Sequence, residues 1–470
     1  MSQSADDSVQ RTRQRPAQRT ALRELISEIE HRMADPTAKG LALAVSRAVR
    51  EQALQPGDRL PPIREVAREL ALSPTTVSSA WGLLARAGTL RTKGRRGTVV
   101  ADLGAPRDGR YRQALEHQAE LSLDLSTGVP DEALLPGLGR ALAAVTTAGT
   151  PRSYLDDPVL PELAEVLVDS WPYPPPAIAV VDGAMDALDL VIRTSLRFGD
   201  RVVVEHPSFP PLLDLLEAAG VQVVGVPLDD EGMVPDALTG ALDTAAQAVF
   251  LQPRAHNPTG VSMTPSRAGA LARIIGATDA IVVEDDSAYG IASTADVSLG
   301  TSLSGQTVHV RSFSKSYGPD LRLAALSGPE DLVGEVRRLR QLGQGWSSRL
   351  LQRVLHHLLT DAQSRAEVVA ARAEYARRRK VLVDALAARG VIAGGRDGIN
   401  VWVPVADQAT ALVRLASRGI GVAPGGPFAV LADGHDHVRV TVGLVERDLE
   451  TVADEIATAA LASGWGARGR

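Results

Sequence analysis

The sequence of 470 residues predicts two domains of different fold class. The first is an N-terminal winged helix-turn-helix of the α+β class, and the second is a larger α/β domain with a small C-terminal α+β subdomain. Three observations lead to this prediction. The chain is too long for one ordinary hydrophobic core. Its first part combines short helical patterns with a basic hairpin, and the remainder alternates Val- and Ile-rich runs with amphipathic helical patterns.

Composition excludes several classes of protein. Hydrophobic residues make up 44% of the chain and aromatic residues only 3%, so the core must rest on Ala, Val and Leu. No apolar run is long enough to cross a bilayer, and the polar start MSQSADDSVQ lacks a signal-peptide core, so we expect a cytoplasmic protein without membrane contact. The absence of cysteine excludes disulfides, thiolate chemistry and Cys-type zinc sites, and we expect no bound metal.

Charge is divided unevenly along the chain. Residues 1–103 hold 17 Lys and Arg against 11 Asp and Glu, whereas the rest holds 33 against 45, which together give the net charge of −6. A basic module is therefore joined to an acidic body, which favours a polyanionic partner for the first domain. A solvated basic face is the alternative.

The first domain is predicted within residues 21–103, after a disordered basic tail at 1–20. Two helical patterns, GLALAVSRAVREQAL and IREVARELA, are separated by the turn QPGDRLPP. A third helix begins where Ser73 can cap free amides and Pro74 suits the first helical position. The run LRTKGRRGTVVA then predicts a tight hairpin with a basic tip.

This order of elements fits a DNA interface. Short polar side chains at the start of the third helix can enter a major groove, while arginines beside it and on the wing neutralise phosphates. The candidate DNA-binding residues are Arg64, Ser73, Thr75, Thr76, Ser78, Lys93, Arg95 and Arg96. A small three-helix fold without a nucleic-acid role is the alternative. The stretch LQPGDRLPPIREVARELALSPTTV resembles the N-terminal domain of the GntR family of bacterial regulators, which implies double-stranded DNA as a partner.

The second domain is predicted over residues 121–470, after a polar linker at 104–120. Short apolar runs such as AIAVV, DRVVVEH and DAIVVED each lead into a polar loop and a helical pattern. These features argue for a doubly wound, mostly parallel sheet, in which ligands bind beyond the carboxyl ends of the strands.

Four loops at strand ends carry side chains suited to pyridoxal 5′-phosphate. Residues 182–185 (DGAM) open a helix whose amides can bind a phosphate, and Asn257 offers a neutral donor. The residues EDD (284–286) end an apolar strand. A carboxylate in such surroundings needs a partner, such as a protonated ring nitrogen. Lys315 can form a Schiff base when desolvated. Each feature has an ordinary explanation by itself, Lys315 as a surface charge included. The remaining cofactor-binding candidates are Gly183, Ala184, Met185, Ser312, Ser314 and Arg322.

These motifs resemble the fold-type-I pyridoxal-phosphate-dependent aminotransferases, in particular the branch close to aminoadipate and kynurenine aminotransferases. The resemblance implies that Lys315 carries the cofactor and that Asn257 bonds its phenolic oxygen, often with a cis peptide before the next proline. It also implies an aspartate on the pyridine nitrogen, for which Asp285 is the first choice and Asp286 the second.

The same resemblance implies three further roles. Phe209 should stack on the cofactor ring, Tyr154 should reach the phosphate of a partner subunit, and Arg439 in HVRVTVG should bind an effector carboxylate. Three positions depart from the family pattern: Phe209 replaces a usual tyrosine, Asp182 replaces Ser or Thr, and Ser287 replaces a tyrosine that bonds the phenolic oxygen.

A GntR-like domain ahead of an aminotransferase-like body resembles the MocR regulators. The resemblance implies a homodimeric transcription regulator in which the body senses pyridoxal phosphate, or a small amine or amino-acid effector, at Lys315. We expect the aminotransferase-like body to serve as a sensor rather than as an enzyme. Two alternatives stay open: an active pyridoxal-phosphate-dependent aminotransferase with an appended DNA-binding domain, and a plain repressor whose body has lost its cofactor.

Overall fold

The computed structural model describes most of the chain. The described residues are 26–33, 35–51, 53–55, 57–86, 89–92, 97–100, 109–115, 121–145, 153–432, 434, 436–445 and 448–463. The predicted basic tail at 1–20 and the wing-tip residues Lys93, Arg95 and Arg96 lie outside them. Among the described residues, no helix is both long and apolar enough to cross a membrane.

The first domain is the predicted winged helix-turn-helix. Its elements are α1 (residues 26–32), α2 (Ala38–Arg50), α3 (Ile63–Glu69), α4 (Pro74–Arg86), β1 (Leu90–Thr92) and β2 (Thr98–Val100). The Ser73 hydroxyl accepts a hydrogen bond from the Thr76 amide at 3.0 Å, so the predicted cap starts α4. The strands β1 and β2 pair antiparallel and form the described part of the wing.

A large sheet with helices on both faces forms the body. The chain enters it through α5 (Arg110–Leu115), β3 (Leu123–Asp124), α6 (Leu138–Ala144) and α7 (Pro161–Asp169). The sheet strands are β4 (Ala177–Val181), β5 (Arg201–His206), β6 (Gln222–Asp229), β7 (Gly232–Met233), β8 (Ala248–Leu251), β9 (Ile281–Asp286), β10 (Thr307–Ser312) and β11 (Ala324–Gly328). The helices are α8 (Ala184–Ser195), α9 (Pro210–Ala218), α10 (Pro235–Leu242), α11 (Pro265–Ile275), α12 (Gly300–Leu303), α13 (Ser314–Tyr317), α14 (Glu330–Gln341), α15 (Arg349–Thr360) and α16 (Ala362–Ala387).

The strand order in the large sheet is β4-β11-β10-β9-β8-β5-β6-β7. From β10 to β6 all neighbours run parallel, whereas β11 is antiparallel to both of its neighbours and β7 is antiparallel to β6. Val202 and Val204 pack with α8 and α9 on one face, while Val203 packs with α10 and α11 on the other. The prediction of a doubly wound, mostly parallel sheet is confirmed, and the carboxyl ends of β8, β9 and β10 share one edge.

The small C-terminal subdomain completes the body. Its elements are β12 (Asn400–Pro404), α17 (Gln408–Ser417), β13 (Ile420–Gly421), β14 (Ala423–Pro424), β15 (His437–Thr441) and α18 (Leu449–Ala460). The strands β12, β15 and β14 form one antiparallel sheet, and β13 pairs with β3. The predicted α+β subdomain is therefore present.

The predicted linker at 104–120 differs from a plain polar connection. It contains α5, which packs against α9 of the body and against a short 3-10 helix, Gly426–Phe428. The charged start of this segment indicated a joint, but RYRQAL combines good helix-forming residues with an apolar end that the body buries.

The DNA-binding domain docks on the small subdomain of the same chain. Its core is continuous with that of the subdomain, and α2 and α4 pack directly against α17. In α17 only Ser417 is exposed, because the helix is covered by its own sheet on one side and by the DNA-binding domain on the other. Lys39 of α2 lies near Arg414 of α17, and burial together with this positive charge lowers the pKa of Lys39.

Removal of residues 1–100 should therefore loosen α17. We expect its backbone amides to exchange with solvent at least about tenfold faster in the shortened protein, because one covered face becomes exposed. Hydrogen exchange with mass spectrometry measures this, with α14, which packs on α8, as the internal reference. Equal protection of α17 in both proteins would contradict the docking.

Candidate cofactor and effector site

A cavity of about 200 Å³ lies at the carboxyl ends of the parallel strands, between the large sheet and the small subdomain. Ten of the residues selected from the sequence line it: Ala184, Met185, Phe209, Asn257, Asp285, Ser312, Ser314, Lys315, Arg322 and Arg439. The structure thus brings together loops that are far apart in sequence. Nothing among the described residues groups as a metal site.

Lys315 stands at the carboxyl end of β10, in the single-turn helix α13. Its side chain is half-buried in the cavity wall. Desolvation lowers the pKa of Lys315, and Arg439 lowers it further, whereas Asp285 and Asp286 act in the opposite direction. A lysine with a lowered pKa carries more of the neutral amine, which is the form that attacks a carbonyl group.

Asp285 and Asp286 point to different surroundings because successive side chains of a strand alternate in direction. Asp285 lines the cavity, and its Oδ1 is buried without a hydrogen-bond partner. Asp286 is paired with Arg254, whose Nη2 lies 2.5 Å from Asp286 Oδ2, and it lies outside the cavity lining. Arg254 already supplies a buried cation to Asp286, which favours Asp285 as the partner of a pyridine nitrogen, and the choice between the two stays a prediction.

Gln252 joins the two residues expected at the cofactor ring. Its Nε2 donates to Asp285 Oδ2 at 2.6 Å, and its Oε1 accepts from the Asn257 amide at 2.7 Å. A carboxylate accepts and a backbone amide donates, so these two partners determine the orientation of the Gln252 side chain. Desolvation raises the pKa of Asp285, and the bond from Gln252 opposes that rise.

Two buried titratable side chains, Glu205 and His256, support this network. Glu205 Oε2 accepts from the Gln252 amide at 2.7 Å and lies 3.4 Å from His256 Nε2. Burial raises the pKa of Glu205 well above its ordinary value and lowers that of His256 to about 3. Burial therefore favours the uncharged form of both side chains, which limits the negative charge near Asp285.

The other end of the cavity can hold a phosphate. Gly183 caps α8 with φ of 107°, and a Cβ there would lie 3.1 Å from Arg322 Nη2, so this position needs glycine. Arg322 Nη2 donates to the Asp182 carbonyl at 3.3 Å, while Ser312 and Ser314 line the same wall. An α-helix start with an arginine and two hydroxyls is a suitable anion site.

The negative charge of Asp182, which stands where the family resemblance implies Ser or Thr, is paired with an arginine that the sequence analysis did not select. Arg340 of α14 contacts Asp182 Oδ2 at 3.1 Å and Asp186 Oδ2 at 2.6 Å. A carboxylate beside a phosphate would repel it, but the pair with Arg340 reduces its negative field.

Arg439 is almost fully buried on β15 and is held from three sides. Its Nη1 donates to Asn257 Oδ1 at 3.2 Å, its Nη2 donates to the Ser126 carbonyl, and its guanidinium lies 5.1 Å from the Phe428 ring centre. The side chain therefore faces the cavity from the small subdomain, in a position suited to a carboxylate.

Tyr154 lies outside the cavity lining, whereas Asn257 and Ser287 are part of it. Tyr154 is 87% exposed and stacks on Trp346 with ring centres 5.6 Å apart, so its expected contact with a partner subunit stays a prediction. The peptide bond between Asn257 and Pro258 is cis, as expected for the motif. Ser287, where the family resemblance implies a tyrosine, also lines the cavity.

Exposure and hydrogen bonding indicate which candidate residues of the DNA-binding domain are available to contact DNA. Arg64, Thr75 and Ser78 are exposed, which suits contact with DNA. Ser73 and Thr76 bond each other through their hydroxyls at 2.8 Å, so Ser73 serves the helix cap and has less freedom to bind a base.

The sequence missed several residues of the cavity wall. Ala114, Leu115, Thr127, Val129, Pro130 and Phe428 also line it. None of them stands in a motif with a chemical group that requires explanation, so only the three-dimensional arrangement identifies them.

The residues present fit pyridoxal 5′-phosphate. The buried free oxygen of Asp285 suits a protonated ring nitrogen, the lowered pKa of Lys315 suits bonding to an aldehyde, and the start of α8 suits a phosphate. Asp285, Lys315 and the first residues of α8 all line one cavity.

Comparison with known proteins identifies both parts of the chain. Residues 37–100 match the bacterial regulatory proteins of the gntR family, and residues 122–456 match aminotransferase class I and II. The chain is 36% identical over 413 residues to the vitamin B6 salvage pathway transcriptional repressor PtsJ of Salmonella typhimurium, across 86% of this chain and 94% of that protein. It is 28% identical over 354 residues to the pyridoxine biosynthesis transcriptional regulator PdxR of Corynebacterium glutamicum, across 73% and 77% of the two proteins.

The solved structure of Pyrococcus horikoshii kynurenine aminotransferase shares the fold of the body, with a TM-score of 0.68, 23% identity and coverage of 75% of this chain and 94% of that one. Fold and site thus define a transcriptional regulator of the gntR family with an aminotransferase-like domain. The chain belongs to the MocR-type regulators. Its helix-turn-helix implies DNA binding, and domains of aminotransferase class I and II typically bind pyridoxal phosphate.

Replacement of Gln252 by Leu should weaken cofactor binding. We expect the dissociation constant of pyridoxal 5′-phosphate to rise about tenfold, equivalent to about 1.4 kcal/mol, because Asp285 loses a buried donor and Asn257 loses its orienting acceptor. Titration followed by absorbance measures this. Gln247→Leu, at an exposed position before β8, is the matched control, and equal affinity in both variants would contradict the role of Gln252.

Proposed function

We propose that this regulator binds pyridoxal 5′-phosphate in the cavity and changes its hold on DNA when the cofactor or an amine effector binds. The observation that carries the proposal is the juxtaposition of Lys315, Asp285 and Asn257 in one cavity. Lys315 has a lowered pKa, and Asp285 has a buried oxygen without a hydrogen-bond partner. These features do not stabilise the fold, but they suit a bound cofactor.

Each end of the cavity has a distinct task in this proposal. When bound, the cofactor supplies an aldehyde that condenses with a primary amine. Asp285 holds the ring nitrogen, Asn257 donates to the phenolic oxygen, and Phe209 covers one face of the ring. The start of α8 with Arg322 binds the phosphate. Lys315 provides the amine of the protein.

The effector is proposed to be a small molecule with an amine and a carboxylate. The amine would replace Lys315 at the cofactor, and the carboxylate would pair with Arg439. Support comes from the burial of Arg439 beside Asn257, where its guanidinium faces the same cavity. Because Arg439 belongs to the small subdomain, an effector bound to both groups would draw the subdomain toward the large sheet.

A homodimer is part of the proposal. Tyr154 and Leu155 are 87% and 81% exposed, and Leu142 and Leu350 are also exposed. Leu142 and Leu350 belong to α6 and α15, which pack together, and Tyr154 stacks on Trp346 just before α15. Exposed apolar side chains of this size favour burial against a second subunit. In such a dimer, Tyr154 is available to reach the phosphate of the partner's cofactor.

Transamination is the second candidate activity. The retention of Lys315, Asp285, Asn257 and Arg439 in one cavity favours it, whereas the small Ser287 removes a hydroxyl that relatives direct at the phenolic oxygen. Turnover of an amino acid with a keto acid at rates typical of metabolic enzymes would place catalysis ahead of sensing.

Replacement of Lys315 by Ala tests the cofactor assignment. We expect loss of the visible absorbance of the bound cofactor and of its covalent attachment after borohydride reduction, because the attacking amine is removed. DNA binding without cofactor should persist within about twofold, since Lys315 is remote from α4 in a separate domain. Lys380→Ala, at an exposed lysine of α16, is the control, and an unchanged spectrum in Lys315→Ala would refute the assignment.

Salt dependence tests the DNA interface. The logarithm of the affinity for DNA from the protein's own upstream region should fall linearly with the logarithm of salt concentration. Arg64→Ala should reduce that slope by about one, because one phosphate contact is lost. Arg338→Ala, on the body helix α14, should leave the slope unchanged. Affinity insensitive to salt would contradict the predicted interface.

A further inference from the structure

The helix α5 lies in the segment that joins the DNA-binding domain to the body, and it forms part of the cavity wall. Ala114 is 3% exposed and packs with Ala423 and Phe428. Leu115 lines the cavity beside it. The connection between the two domains therefore passes through the site that the proposed function assigns to the ligand.

The contacts of α5 place it at the effector end of the cavity. The Phe428 ring packs with Ala114 on one side and lies 5.1 Å from the Arg439 guanidinium on the other. Ala423, the second neighbour of Ala114, is the register partner of Arg439 in the small sheet. A group that binds Arg439 therefore acts on the same small cluster that supports α5.

The start of α5 is tied to the body. The Arg110 amide donates to Asp214 Oδ1 at 2.7 Å, and Arg110 Nη1 donates to the Ala429 carbonyl at 3.0 Å. The backbone at Gly109 approaches Asp214 closely, and this approach favours glycine because a Cβ at residue 109 would lie 2.6 Å from Asp214 Oδ2. A helix of six residues is not stable by itself in water, so its position depends on these contacts and on the cavity wall.

We infer that α5 detects occupancy of the cavity and that its position in turn affects the DNA-binding domain, which precedes it in the chain. This inference rests on the proposed function and adds the element that couples the site to the DNA-binding domain. An occupied cavity confines Ala114 and Leu115 against Phe428, which keeps α5 in place. Without a ligand, Ala114 and Leu115 have no contact on the cavity side. The position of α5 then depends on its contacts with the body, above all the hydrogen bond from the Arg110 amide to Asp214.

The test uses the full-length protein with Asp214→Ala, Asp214→Asn and the control Glu217→Ala, an exposed acid on the same helix α9. Two quantities are measured with and without pyridoxal 5′-phosphate: amide exchange in residues 109–115 and affinity for DNA from the protein's own upstream region. In the wild type we expect slower exchange in α5 with the cofactor and a change in DNA affinity of about fivefold or more.

Asp214→Ala should raise exchange in α5 and reduce the cofactor-dependent change in DNA affinity to within about twofold. Asp214→Asn keeps an acceptor for the Arg110 amide and should restore most of the wild-type response. Glu217→Ala should match the wild type. A wild-type DNA response in Asp214→Ala, with or without faster exchange in α5, would overturn the inference, as would loss of cofactor absorbance in that variant.

A second variant approaches α5 from the cavity side. Ala114→Met adds a longer side chain against Phe428 and should move the DNA affinity without cofactor at least about twofold toward the cofactor-bound value. A wild-type affinity and response would overturn the inference. Failure of the proposed function is distinguishable: a wild-type protein that binds no cofactor refutes both, whereas one that binds it without slower exchange in α5 refutes the role of α5 only.

Discussion

The burial of the oppositely charged groups Asp285 and Lys315 near each other is the constraint on which the rest of the site depends. Burial raises the pKa of the acid and lowers that of the amine, while each charge favours the ionised form of the other. The large sheet creates this condition by ending β9 and β10 at one edge beneath the small subdomain. Polar groups around the pair, above all Gln252, supply the hydrogen bonds that make such burial tolerable.

The sequence predicted those parts of the site that follow directly from local chain order. Lys315, Asn257 and Asp285 each end a strand or follow one closely, and parallel strands bring such ends together. The α4 cap and the Val-rich strands were likewise visible as local patterns. Expectations about dimer contacts at Tyr154 depend on a second chain and stay predictions.

Residues whose role arises between distant segments were not visible in the sequence. Arg254 favours Asp285 over Asp286 only because its guanidinium lies beside Asp286, and Arg340 of the distant helix α14 pairs with Asp182. The helix α5 was hidden for a different reason. Its short and charged sequence has the composition of a connection, and burial by the body is what makes it helical.

The enclosure of α17 between the small sheet and the DNA-binding domain has a consequence for how the two halves can evolve and be engineered. A DNA-binding domain that shares a core with the aminotransferase-like domain cannot be exchanged for that of another regulator by joining linkers alone. The surfaces of α2 and α4 that meet α17 must be transferred with it, or an apolar face is left open to water and to self-association. The two halves therefore constrain each other's substitutions as the parts of a single hydrophobic core do.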